Sequence, residues 1–168
     1  MGQIVSHIDI NIILKDKLSI CLISITTVVF IVMCFTLLRY NYLIIKILFI
    51  LNYLIYIISY TITILRNPGI PERKYFIPYI ENKKINEKNW SKCTKCNIMI
   101  PKEMNITHCF DCDICVLEQD HHCPWTGKCI AKYNLISFYF FVNSLLVYFI
   151  NIFVTLYASV FYQSKIRQ

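Results

Sequence analysis

Long charge-free apolar runs alternate along the chain with shorter polar segments. No charge falls between Leu18 and Leu38, 21 residues bracketed by Lys17 and Arg39. A second run of 19 residues extends from Ile47 to Leu65 between Lys46 and Arg66, and a third of 28 from Leu135 to Tyr162. About 20 apolar residues, each rising ~1.5 Å in a helix, cross a hydrocarbon core. Three transmembrane helices are therefore predicted, at 18–38, 47–65 and 135–162. The first run is longer than the apolar region of a signal peptide and lacks a small-residue cleavage site, so it reads as an anchor. Only about eight residues join the first two runs, which predicts an antiparallel hairpin. Asn52, Asn143 and Asn151 lie inside the runs and are expected to face other helices, while Cys21 and Cys34 read as apolar filler.

The polar segments divide the rest. Residues 1–17 form a tail, 66–92 a linker, 93–134 a cysteine-rich domain and 163–168 a second tail. Arg66-Asn-Pro-Gly-Ile-Pro stops the second helix, because proline cannot continue it and Gly69 lets the chain turn. The opening MGQIVS fits a short N-myristoylation pattern; an ordinary tail is the alternative. His7 has no evident role there. No internal repeat is read, the recurring C-x2-C spacing being taken as a ligand device.

Charge orients the helices. The chain carries a net charge of +7, and Lys and Arg near helix ends favour the cytosolic side. With the N-terminus inside, nine such residues flank the helices in the cytosol against four outside. Segment 66–134 is then cytosolic. It also holds eight acidic residues, so no polybasic nucleic-acid surface is present, and no P-loop or Rossmann glycine pattern occurs. In a reducing compartment the loop cysteines are expected to bind metal or do chemistry rather than form disulfides. Asn89 and Asn105, in glycosylation-like sequences, are chance matches on that side.

The loop offers seven cysteines and three histidines: Cys93, Cys96, His108, Cys109, Cys112, Cys115, His121, His122, Cys123 and Cys129. A C-x2-C pair brings two thiolates to one ion, and structural zinc takes about four such ligands. Zinc is preferred to an iron–sulfur cluster, which relies mostly on thiolates. Two closed sites consume eight of the ten groups, leaving a pair. The run Asp120-His121-His122-Cys123 is where a leftover pair makes sense, since a cysteine beside a carboxylate-oriented histidine is an activated nucleophile. Two zincs with an unused Cys–His pair packed away satisfy the same count. A RING-like module fits less well, because the last two cysteines stand six apart. The predicted fold class is all-α transmembrane, with three membrane helices and a small irregular two-zinc loop domain between the second and third.

These residues resemble the DHHC family of protein S-acyltransferases. The resemblance rests on Cys93-x2-Cys96, His108-Cys109-x2-Cys112-x2-Cys115, the tetrapeptide 120–123 with Pro124-Trp125, and Cys129-Ile130 followed by Asn134 and Phe138. It implies one zinc on Cys93, Cys96, His108 and Cys115 and another on Cys109, Cys112, His122 and Cys129. It further implies Cys123 as nucleophile, His121 as its base and Asp120 as the carboxylate orienting that base. The implied donor is palmitoyl-CoA, with ping-pong transfer to membrane-associated proteins bearing accessible cysteines. The bilayer is the remaining partner, and the expected location is an endomembrane, endoplasmic reticulum or Golgi, with the active site facing the cytosol. Departures are Asn67-Pro68-Gly69 for the usual Asp-Pro-Gly, two extra residues before His108, no arginine after Pro101, Gly127-Lys128 for Asn-Asn, and Ala131 for glycine. The chain also stops at Gln168, before the family's fourth helix and Thr-Thr-x-Glu motif, so it is expected to be C-terminally truncated. A non-catalytic zinc-stabilised membrane adaptor, or an inactive fragment, is the alternative function.

Overall fold

The computed structural model describes residues 17–38, 43–71 and 89–166. The N-terminal pattern MGQIVS, His7, residues 39–42 of the connection between the first two apolar runs and most of the linker lie outside the described residues.

Three helices carry the apolar runs: α1 (Lys17–Leu38), α2 (Leu43–Leu65) and α3 (Leu135–Ile166). Each is long and apolar enough to cross a membrane, with mean hydropathy 2.7, 2.1 and 1.9 over Leu18–Leu37, Leu43–Leu65 and Leu135–Phe161. α2 begins four residues before the charge-free run and takes in Lys46, whose long stem can carry its ammonium toward a polar boundary. Large apolar side chains such as Phe35, Ile44, Ile58, Phe140 and Phe153 remain exposed on the outer faces. A water-soluble domain rarely exposes so much apolar surface.

Aromatic rings fill the space between the helices. Phe49, Tyr53, Tyr56 and Tyr60 of α2 lie against Phe141 and Tyr148 of α3, all buried. An apolar medium leaves a hydroxyl no solvent to bond, so each needs an internal partner. Tyr148 donates to the Thr26 carbonyl at 2.9 Å, and the Tyr53 and Tyr56 hydroxyls reach Thr27 and Thr26 at 2.9 and 3.2 Å. These bonds tie α1 to the pair formed by α2 and α3. Ser59 and Ser144 bond across that pair at 3.1 Å, and Asn52 reaches the Ser144 carbonyl at 3.5 Å. Asn143 instead bonds back to Tyr139 of its own helix. Asn151 and Thr155 line a small cavity of about 80 Å³ between α2 and α3.

The cysteine-rich domain is not irregular: apart from one short 3-10 turn, Lys102–Met104, its regular structure is strand. It holds six short strands: β1 (Trp90–Cys93), β2 (Ile98–Pro101), β3 (Ile106–Cys109), β4 (Ile114–Leu117), β5 (His121–Cys123) and β6 (Lys128–Ile130). They pair as three separate antiparallel hairpins, β1–β2, β3–β4 and β5–β6. Strands this short bury little and are marginal alone; several inward positions here are metal-binding residue types, which hides the strands from hydropathy.

The Asn67-Pro68-Gly69 turn docks this domain on α2. Asn67 Oδ1 accepts from the amides of Gly69 and Ile70 at 2.8 and 3.0 Å, a task the amide oxygen performs as a carboxylate would. The Gly69 carbonyl accepts from the Leu117 amide at 2.9 Å, and that of Pro68 from Tyr133 at 3.3 Å. Gly69 has φ of +125, and a Cβ there would stand 3.1 Å from Leu117 Cβ, so glycine is required on both counts.

Candidate active site and metal centres

The three hairpins are copies of one device, contrary to the reading that no repeat exists. Their registers superpose: Cys93 faces Ile98, Cys109 faces Ile114 and Cys123 faces Lys128. In each, four turn residues separate the pair, and the last is left-handed: Asn97 and Asp113 at φ +53 and Gly127 at φ +63. Asn, Asp and Gly are the residues that accept this conformation most readily. Gly127 therefore fits the turn. The repeat escapes a cysteine count because its third copy carries Thr126 where the first two carry Cys96 and Cys112.

Each knuckle pair meets a cross-strand pair from the next hairpin. Cys93 and Cys96 gather with His108 and Cys115, which face each other across β3–β4. Cys109 and Cys112 gather with His122 and Cys129, which face each other across β5–β6. Within each quartet the ligand atoms lie within 4.8 Å of one another. Nδ1 of His108 lies 3.7, 3.2 and 3.8 Å from the sulfurs of Cys93, Cys96 and Cys115. Nδ1 of His122 lies 3.8 and 3.2 Å from those of Cys109 and Cys112. Tetrahedral bonds of about 2.3 Å to sulfur and 2.0 Å to nitrogen give edges of roughly 3.5–3.8 Å, so both quartets can hold a metal ion. Behind the first, His108 Nε2 is buried and makes no hydrogen bond among the described residues, with Asp113 Oδ1 3.4 Å away.

Charge crowding makes the same point. The hydrogen bond from Cys129 pulls the Cys112 thiol down to about 6 against the opposing effect of burial. The same bond, then burial, pushes Cys129 well above the thiol range. Burial, then its bonds to Cys93 and Cys96, does likewise for Cys115. Thiolates crowded this closely oppose one another's ionisation, and a cation among them relieves that opposition.

Strand alternation sorts the tetrapeptide. Along β5, side chains point alternately to opposite faces, so His122 faces the second quartet while His121 and Cys123 share the other face. Cys123 belongs to neither quartet and is 3 % exposed. His121 Nδ1 lies 2.9 Å from Asp120 Oδ2, leaving Nε2 as the nitrogen available to exchange a proton. The edge of the His121 ring packs on Phe138, with centroids 5.1 Å apart. No hydrogen bond to the Cys123 sulfur is formed among the described residues.

The face bearing Cys123 is fixed to the helices by groups that carried no metal or catalytic signal. The Tyr60 hydroxyl donates to the Trp125 carbonyl at 3.2 Å. Lys128 Nζ donates to the carbonyls of Ile64 and Arg66 at 2.7 and 2.9 Å, and burial holds this ammonium below the ordinary lysine value. Fully buried Asn134 accepts from the Ala131 amide at 2.8 Å and donates to the Cys129 carbonyl at 3.0 Å, leading the second quartet into α3. Ala131 has no positive φ, so a side chain there costs no strain. Tyr60 and Lys128 act across 65 and 64 residues of chain, a separation no local motif records.

Known proteins share this region. The model of the DHHC palmitoyltransferase family matches residues 86–168. The chain is 40% identical over 81 residues to palmitoyltransferase ZDHHC9 of Homo sapiens, covering 47% of this chain and 22% of that protein. It is 47% identical over 53 residues to palmitoyltransferase ZDHHC14 of Homo sapiens, covering 32% and 10%. To palmitoyltransferase PFA3 of Debaryomyces hansenii it is 43% identical over 51 residues, covering 30% and 12%. The chain thus spans about a fifth or less of the length of these curated relatives. Through residues 86–168, with its knuckled hairpins and its Asp-His-His-Cys strand, the chain belongs to the DHHC palmitoyltransferase family.

Proposed function

We propose that the chain is a protein S-acyltransferase that moves a palmitoyl-type acyl group from acyl-CoA to Cys123 and then to cysteines of membrane-associated proteins. The observation that carries this reading is the division of the tetrapeptide. His122 is turned to the second quartet, while His121, held by Asp120, shares the opposite face with Cys123.

Zn²⁺ is the ion matched to three thiolates and one imidazole. Cys93, Cys96, His108 and Cys115 would hold one, and Cys109, Cys112, His122 and Cys129 the other. Bound there, each ion supplies cross-linking, because protein fills all four positions.

In the first half-reaction His121 takes the Cys123 thiol proton. The sulfur attacks the thioester carbonyl carbon, the bond from that carbon to the CoA sulfur breaks, and CoA leaves as the thiol with the proton from His121. In the second half-reaction the substrate cysteine gives its proton to His121 and attacks the acyl group on Cys123. Cys123 leaves and recovers the proton. Asp120 holds the Nδ1 proton of His121 and stabilises the imidazolium formed in each half-reaction. The chemistry sits where lipid and water meet because each acyl methylene favours the apolar phase by about 0.8 kcal/mol. The bias of Lys and Arg supports a site on the cytosolic side of the membrane. The adaptor alternative has no observation of its own in its favour, since an adaptor has no need of a carboxylate-held histidine on the same strand face as a free cysteine.

The test is autoacylation of the purified chain with labelled palmitoyl-CoA, beside Cys123→Ser. A hydroxylamine-labile label on wild type that is lost in the variant is expected. No label on folded, zinc-loaded wild type refutes the reading for this chain.

A further inference from the structure

Helix α2 ends in a way that leaves two carbonyls without their usual donors. The carbonyls of the last turn of any helix lack intrahelical partners unless the following residues fold back to supply N–H groups. The natural donor to the Ile64 carbonyl is residue 68, which is proline and has no N–H. The natural donor to the Arg66 carbonyl is the Ile70 amide, which donates to Asn67 Oδ1 instead at 3.0 Å. The turn that ends the helix thus orphans the two oxygens on which Lys128 Nζ lands, at 2.7 and 2.9 Å. A cation is also the group favoured at the negative end of the helix dipole.

Lys128 is the register partner of Cys123 in the β5–β6 hairpin. Directly opposed residues point to the same face of a hairpin, so the ammonium and the thiol share a face and the anchored residue is the one across from the nucleophile. We propose that Lys128 is a positioning residue of the transfer reaction: it caps α2 and thereby seats Cys123 at the boundary between the helices and the cysteine-rich domain. Its role in catalysis rests on the acyltransferase reading; its role as a seat does not. The Asn-Pro-Gly turn and Lys128 are two halves of one joint.

The experiment uses the full chain in lipid nanodiscs in a Trp90→Phe background, which leaves Trp125, in the same hairpin, as the one remaining tryptophan. Trp125 quenching by lipids brominated near the glycerol backbone reports the depth of the hairpin, and bound zinc and autoacylation are measured on the same samples. In Lys128→Met, quenching is expected to fall at least about twofold and autoacylation at limiting palmitoyl-CoA by roughly tenfold or more, as for loss of charged hydrogen bonds, with zinc unchanged. Lys128→Arg keeps two donors and the charge and is expected to restore both readouts. Should Lys128→Met lose zinc, Lys128→Gln is expected to give intermediate quenching; wild-type quenching there overturns the proposal. Quenching and autoacylation both at wild-type level in a zinc-loaded Lys128→Met also overturn it. If wild type does not autoacylate, the acyltransferase reading falls while quenching still decides the seat.

Discussion

Gly69→Ala tests whether the cysteine-rich domain is held on α2 by a joint of defined geometry. The residue sits at φ of +125, where an L-side chain costs about 1–3 kcal/mol. The added Cβ would lie 3.1 Å from Leu117 Cβ, closer than ordinary carbon contacts of about 3.5–4.0 Å. Leu117 has little room to yield: its amide is bonded to Gly69, its carbonyl accepts from Lys132, and it pairs with Ile106 across the hairpin. Relief comes by undocking the turn, which breaks the bonds from Leu117 to Gly69 and from Tyr133 to Pro68. A bias of about 1–3 kcal/mol multiplies the undocked population by roughly 5–150-fold. Hydrogen exchange of the Leu117 and Tyr133 amides should accelerate by that factor, while amides within the β3–β4 ladder keep their rates. Asn67→Ala, which removes the acceptor of two turn amides, should act in the same direction, and Asn67→Asp should not. Leu117 and Tyr133 amides exchanging at wild-type rates in Gly69→Ala would refute the reasoning.

Three further outcomes are expected. Asp120→Asn should preserve metal content and fold yet slow autoacylation by roughly 10²–10⁴-fold, because the amide no longer fixes the tautomer or offsets the imidazolium; rapid-quench kinetics read this directly. His122→Ala and Cys96→Ser should each cost one bound ion by mass spectrometry. His122→Ala should abolish autoacylation and Cys96→Ser leave a measurable part of it, since only the second quartet holds the Cys123 hairpin. With metal chelated, the domain should lose stability as pH rises through the ordinary thiol value of 9.0, judged by hydrogen exchange. The sign follows from Cys115 and Cys129, whose raised values keep protons in the folded state that the unfolded chain releases.

The helices were legible because a run of about 20 uncharged residues has few other uses, and a metal-binding loop because two C-x2-C pairs leave a plain spacing; which residues share a quartet was implied only by the family resemblance. The strands were not legible. Hydropathy alternation marks a sheet that buries one apolar face, whereas β3, β5 and β6 turn histidine and cysteine inward. The repeat was hidden for a related reason, since Thr126 takes the place of a thiol and only register and the left-handed φ of Asn97, Asp113 and Gly127 reveal the common turn. Lys128 read as a mere departure because its partners are two carbonyls on a distant helix.

The repeat also explains why one cysteine is spare. Each metal quartet takes the knuckle of one hairpin and the cross-strand pair of the next. Among the described residues no hairpin precedes the first, and its cross-strand positions hold Lys92 and Met99, which belong to neither quartet. The third has no successor, and its knuckle keeps Cys123 with Thr126, whose hydroxyl bonds the Cys123 carbonyl at 3.2 Å. Three hairpins so linked close two sites and leave the last knuckle open. The cysteine there has the backbone setting of a metal ligand but no second thiol and no following pair to complete a site. On this logic Cys123 is free for transfer chemistry because of its place at the end of the series, and Thr126→Cys, by restoring the second thiol, should make the hairpin bind phenylarsine oxide and block acylation at Cys123. Undiminished acylation in the presence of the arsenical would show that the third hairpin is not a knuckle of this kind.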